Sequence, residues 1–105
     1  MTYRTIIWKA AESQIRRQYT YLLKHAPEYA DVWVDRLDAA IESLTEMPER
    51  CPIAPEEKQL KEGIRHLLFD SSRILFTVKG RDVNIIHVRH MRRRPLPGKR
   101  GRDTR

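Results

Sequence analysis

The feature that most constrains this chain is a double change of hydrophobic period, into helical spacing near residue 10 and out of it near residue 48. Before the first change, "YRTIIW" at 3–8 is β-branched and aromatic and predicts a strand. After it, Ala11, Ile15, Tyr19, Leu22, Leu23 and Ala26 fall near one helical face, with Glu12, Arg16, Arg17 and Lys24 on the other. Pro27 divides the helical region. Proline disfavours helical geometry at the residue before it, so a first helix stops there. The same proline suits the first turn of a second helix, where its missing N–H costs nothing. Glu28 and Asp31 fit the positive end of that helix. A second stripe, Ala30, Trp33, Val34, Leu37, Ile41 and Leu44, flanked by Ala40 and Met47, runs to Pro48. Helices joined by so short a link pack antiparallel, as a hairpin.

Beyond Pro48 the pattern breaks again. Residues 48–63 carry Pro48, Pro52, Pro55 and Gly63 and read as a loop. Three strand-like runs follow, "IRHLLF" (64–69), "RILFTV" (73–78) and "VNIIHV" (83–88), separated by the turn residues "DSS" and "KGRD". The order predicts an α+β fold: an N-terminal strand, an antiparallel helical hairpin, then an antiparallel β-meander with both helices on one face. Pairing of the first strand with the meander edge would close the core. One domain is expected over 1–94. The basic tail 95–105 lacks apolar periodicity and is expected to be flexible.

At 105 residues with 40% hydrophobic, the chain can fill one modest core. No apolar run approaches the ~20 residues of a membrane span, and the N-terminus lacks a signal-peptide layout, so a cytoplasmic protein with no membrane partner is expected. Cys51 is the sole cysteine, which excludes an internal disulfide and suits a reducing compartment. It reads as an inert loop thiol. No Cys/His spacing resembles a metal site, and no cofactor is suggested.

The net charge of +7 is unevenly spread. Residues 1–60 hold 8 Lys/Arg against 10 Asp/Glu, whereas residues 61–94 hold 9 against 3. Such asymmetry marks a surface facing nucleic acid, an acidic partner or an acidic membrane, or else a solubilising face. The stretch "NIIHVRHMRRRP" (84–95) concentrates the question, because a core strand runs straight into arginines.

A sheet covered on one side leaves its other side free. In the middle strand, Ile74, Phe76 and Val78 point to the core, and Arg73, Leu75 and Thr77 to the open side. A two-residue turn at Lys79-Gly80 or Gly80-Arg81 puts Asn84, Ile86, Val88 and His90 on the Arg73 face. His87 then falls on the core face as a structural residue. In the preceding hairpin, an Asp70-Ser71 turn puts His66 and Leu68 beside Arg73, and a three-residue Asp70-Ser71-Ser72 loop puts Arg65 and Leu67 there instead. Either way the open side collects Arg73, His90, Arg92 and one further cationic or titratable group.

The order of elements, "LTEMPERCP" closing the second helix, "GIRHLLFDSSRILFTV" and "VNIIHVRHMRRR" together resemble the RelE/ParE superfamily. These are bacterial toxins of type II toxin–antitoxin modules, often labelled plasmid stabilisation proteins. The resemblance covers about residues 3–94 and rests on an Arg opening the middle strand, Arg65 in the strand before it, and V-x-H-x-x-R at 88–93. It implies a growth inhibitor silenced by an antitoxin whose acidic, partly disordered segment wraps the toxin. RelE-like members cut mRNA at the ribosome as metal-independent endoribonucleases; ParE-like members inhibit DNA gyrase. On the RelE reading, Arg73 matches the arginine that contacts the scissile phosphate, and His90 or Arg92 the C-terminal acid/base or charge-stabilising position. Arg65, His66, Arg89, Arg93 and Arg94 would add target contacts.

Cleavage by a 2′-OH needs a proton acceptor, a proton donor and cations for the phosphorane charge, and His suits either proton role. The chain departs from RelE in having no Tyr after residue 29, and Arg65 and His66 where lysines are usual. The long helical hairpin and "PERCPIAPE" look more like the ParE branch. The reading therefore leans to gyrase inhibition, with mRNA cleavage as the alternative. A non-toxic nucleic-acid-binding module, using the 8 Lys/Arg against 1 Asp of residues 89–105, is the third reading.

Overall fold

The computed structural model describes residues 2–90. Arg92, Arg93, Arg94 and the tail 95–105 lie outside the described residues. Strand β1 (Arg4–Ile7) leads into helix α1 (Lys9–His25), then α2 (Pro27–Glu42). Two 3₁₀ turns, Ser43–Thr45 and Pro48–Arg50, and a short helix α3 (Glu57–Leu60) precede β2 (Arg65–Phe69), β3 (Ser72–Lys79) and β4 (Asp82–His90). The four strands form one sheet in the order β1-β4-β3-β2. The meander is antiparallel, while β1 joins the free side of β4 in parallel, from Arg4↔Asp82 to Ile7↔Ile85.

The helical hairpin forms where Pro27 requires it. Ala26 ends α1, donating its N–H to Leu22 O at 2.7 Å, and Pro27 occupies the first turn of α2. Tyr19 Oη donates to Asp31 across the hairpin at 2.7 Å. The apolar stripe then meets the sheet: Ala11, Trp33, Leu37, Ile41 and Leu44 pack on Phe69, Ile74, Phe76, Val83, Ile85 and Val88. Full burial of each large side chain, such as Phe76 or Leu37, stabilises by about 1.5–3 kcal/mol. The helical region is shorter than its apolar pattern. α2 ends at Glu42, and Leu44 reaches the core from the 3₁₀ turn after it.

Two expectations are corrected here. The second face of the sheet is not open at its centre. Segment 52–64, which contains α3, crosses it and sets Ala54, Leu60 and Ile64 on Leu75 and Ile86. Backbone bonds from Ala54 N–H to Ile64 O (2.9 Å) and from His66 N–H to Pro52 O (3.1 Å) tie this strap down. Glu57 Oε1 accepts from the N–H of Ile64 (2.7 Å) and of Glu62 (3.1 Å), closing the strap's last turn.

The second correction concerns register. Phe69↔Ser72 and Lys79↔Asp82 show two-residue turns at Asp70-Ser71 and Gly80-Arg81, both among the anticipated alternatives. Between the hairpin ends, however, a β-bulge intervenes, so that Phe76 pairs with Ile85 while Leu75 pairs with His87. An extra residue on one strand reverses the alternation beyond it. Asn84 (opposite Thr77) and Ile86 (packed with Leu75) stay on the Arg73 side. Val88 and His90 move to the helix side, opposite Ile74 and Ser72, and His87 and Arg89 take the Arg73 side.

Candidate functional site

The strap and the bulge decide what the functional side chains can do. Arg73 is the second residue of β3, one past Ser72 and the Asp70-Ser71 turn, and is 8% exposed. Its Nη1 donates to Glu56 Oε1 at 3.0 Å and its Nη2 to Glu56 Oε2 at 2.5 Å. Glu56, fully buried on the strap, thereby engages the guanidinium with both carboxylate oxygens. Arg73 Nη1 also lies 3.2 Å from His66 Nδ1. Arginine is always a donor, so His66 Nδ1 accepts and its proton resides on Nε2. Burial, reinforced by the Arg73 charge and opposed by Glu56, pushes the His66 pKa below its ordinary value.

His87 stands opposite Leu75 on the same side of the sheet. It reaches α1 past the sheet edge, where Gln14 Nε2 lies 3.1 Å from its Nδ1. Burial and the Arg89 charge depress its pKa too. Arg89 pairs directly with Arg73 in register. Among the described residues, the sheet face read from the sequence as carrying Arg73 and His90 thus carries His66, Arg73, His87 and Arg89, with Glu56 set among them.

His90 belongs elsewhere. It is the register partner of Ser72, whose Oγ donates to Gln18 Oε1 on α1 at 3.2 Å, so both face the helices. There the end of β4, the Asp70-Ser71 turn and α1 enclose a groove of about 610 Å³, lined by Arg17, Gln18, Ser72, Arg89 and His90 among others. Arg73 and His90 therefore lie in opposite layers and do not share one reaction centre. Arg65 is also placed on the helix-side register, opposite Phe76. Its Nη1 donates to Cys51 O (2.7 Å) and Glu49 O (3.2 Å), which anchors the Pro48–Arg50 turn. Burial pushes the Cys51 thiol up, away from the reactive thiolate.

Three participants were missed by sequence reasoning. Glu56 looked like one more loop acid, and nothing in its spacing selects it over Glu57 as the partner of Arg73. Gln14 and Gln18 carried a weak signal: uncharged amides at i and i+4 beside the apolar stripe of an otherwise charged helix. They hold the edge of β4 where β1 has ended. Gln14 Oε1 accepts from Val88 N–H at 2.7 Å, and Gln18 Nε2 donates to Val88 O at 3.4 Å.

Among the described residues no helix is long and apolar enough to cross a membrane. Residues 6–95 match the family described as "ParE toxin of type II toxin-antitoxin system, parDE". The chain belongs to the ParE toxin family. That match runs from the end of β1 through both long helices and β2–β4, so the ParE assignment rests on the fold unit and not on one motif. A solved structure titled "Chromosomal ParDE TA system from P. aeruginosa" has the same fold: TM-score 0.71 at 17% identity, covering 85% of this chain and 96% of that one. No curated protein matches the chain.

Proposed function

We propose that this ParE-family toxin arrests growth by binding and inhibiting DNA gyrase, acts in the cytoplasm, and is silenced by a cognate antitoxin with an acidic, partly disordered segment. The observation that carries the reading is the family match over residues 6–95. The site geometry supports it. Transfer of a proton to and from a phosphodiester needs an acid, a base and a free cation around one phosphate. Here the Arg73 guanidinium is taken up by Glu56, and His90 faces the other layer. Blocking a large protein target needs no such set; it needs a rigid, charged surface, which the helical hairpin and the basic end of β4 supply.

The experiment measures replication and translation separately after induction, together with supercoiling by purified gyrase. Replication stalls and a DNA-damage response appears while translation continues at first; purified toxin lowers supercoiling, and co-expressed antitoxin restores it. Rapid loss of translation with messages cut at ribosomes, and gyrase unaffected, overturns the reading. The antitoxin is sought next to the toxin gene, as a small protein with an acidic tail and its own DNA-binding domain.

A further inference from the structure

We infer that two copies of this chain associate through β1, edge to edge and antiparallel, about a two-fold axis at Ile6. The inference concerns an interaction surface and stands apart from the choice of target. β1 is one edge of the sheet and β2 the other. The chain itself covers part of the β2 edge: His66 N–H is taken by Pro52 O, and Ile53 bridges to Arg65. On β1 the comparable contact stops at Tyr3, whose N–H goes to Thr45 O at 2.9 Å. Arg4 and Trp8 donate to Arg81 O and Ile85 O, so the even-numbered residues bond to β4. Thr5 and Ile7 therefore turn their N–H and C=O groups away from the sheet. Sheet edges are usually blunted by charge, proline or a covering segment. This one instead presents Ile6, Ile7 and Trp8 in succession, all of them exposed.

A second copy supplies the complement. With Ile6 opposite the partner's Ile6, Thr5 faces the partner's Ile7, and Ile7 the partner's Thr5. Each of these pairs exchanges two hydrogen bonds, so every outward group of both strands is used. A slip of one residue would set outward groups against inward ones, which fixes the register. The side chains agree with it. Thr5 and Ile7 are both β-branched and meet across the strands on the helix side. On the strap side, Arg4 faces the partner's Trp8. The Trp8 indole is half exposed and held by its N–H to Asn84 Oδ1 at 3.2 Å, and the exposed Arg4 side chain is paired with Asp82. A guanidinium beside an indole is a favourable neighbour, and no like charges stand opposite. An extended segment of another protein would satisfy the backbone row alone; the match of Arg4 to Trp8 across the axis is what favours a second copy.

Strands this short bury less than a standard interface, so the dimer is weak, with Kd on the order of 10–100 μM. The full chain is followed by sedimentation velocity from about 1 to 500 μM, a range that brackets such a Kd. The average mass rises toward that of two chains. It does so equally at about 0.5 M salt, where bridging of a basic protein by polyanions is lost. Thr5→Pro removes an outward N–H and no bond of the β1–β4 ladder, a position where an edge strand tolerates proline. It weakens the dimer by about tenfold or more, with the circular dichroism spectrum unchanged. Ile6→Cys tests the axis directly, because two cysteines directly opposite in a non-hydrogen-bonded pair are close enough to bridge. Mild oxidation links that variant into dimers. Leu68→Cys, more exposed but on β2, is not linked, and the native Cys51 is buried. A monomer at the highest concentration, undiminished affinity in Thr5→Pro, or failure of Ile6→Cys to link overturns the inference. So does equal linking of Leu68→Cys, or association that vanishes at high salt.

Discussion

Removing either member of the Arg73–Glu56 pair takes away the two hydrogen bonds that hold a buried charge in place. Arg73→Ala and Glu56→Ala are each expected to cost about 3–5 kcal/mol, the usual penalty for breaking a buried ion pair. The double variant Arg73→Leu/Glu56→Leu recovers most of that loss, because two apolar side chains satisfy each other. Urea denaturation of the three variants checks this; similar losses in single and double variants would contradict it. The result governs how toxicity data are read. A harmless Arg73→Ala protein reports a lost fold before it reports lost chemistry, so the paired variant is the informative one. An arginine opening a strand after a turn was legible in the sequence. Its partner was not, because Glu56 arrives from a proline-rich stretch whose path no local rule determines.

Among the elements, those with their own periodicity were readable and those held by tertiary contacts were not. Pro27 and the two apolar stripes specify the helical hairpin, and the turn residues specify the meander. The bulge was written in "NIIHV", where adjacent Ile85 and Ile86 are both buried and break strict alternation. A single-residue insertion was enough to exchange His87 and Arg89 for Val88 and His90 on the Arg73 face. The α3 strap has neither a long apolar stripe nor alternation, and its position follows from Ala54, Leu60 and Ile64 finding Leu75 and Ile86. The edge of β4 past Ile85 offers a sharper test. Gln14 and Gln18 there stand in for a missing strand, and Gln14→Ala leaves the Val88 N–H without its acceptor. A loss of about 1–3 kcal/mol follows from an unsatisfied backbone donor. Hydrogen exchange at the Val88 amide accelerates while exchange at Phe76 changes only with global stability. Unchanged exchange at Val88 would show that α1 does not guard this edge.

At the level of the whole molecule, the two depressed histidines couple folding to pH. His66 and His87 each bind a proton less readily when folded than when unfolded. Unfolding therefore takes up protons near and below the ordinary histidine pKa of about 6.5, and stability rises with pH there. The stabilisation is complete above that value and is lost as pH falls through the lower folded values. The urea midpoint drops between pH 7.5 and 5.5, and drops less in a His66→Gln/His87→Gln variant. A flat midpoint in the parent protein rules out the coupling.

Sheet order carries one more implication. Arg4 pairs with Asp82, so among the described residues the first strand has its place beside the last. The helical hairpin has local partners and can form early, but closing a loop of that length waits for β4 and its entropic cost. Until β4 is synthesised there is no surface for β1 to join and no groove at the strand end. A nascent chain of this kind thus carries the helical hairpin without a completed sheet until β4 emerges, so the parallel β1–β4 pair is the last contact of the described sheet to close.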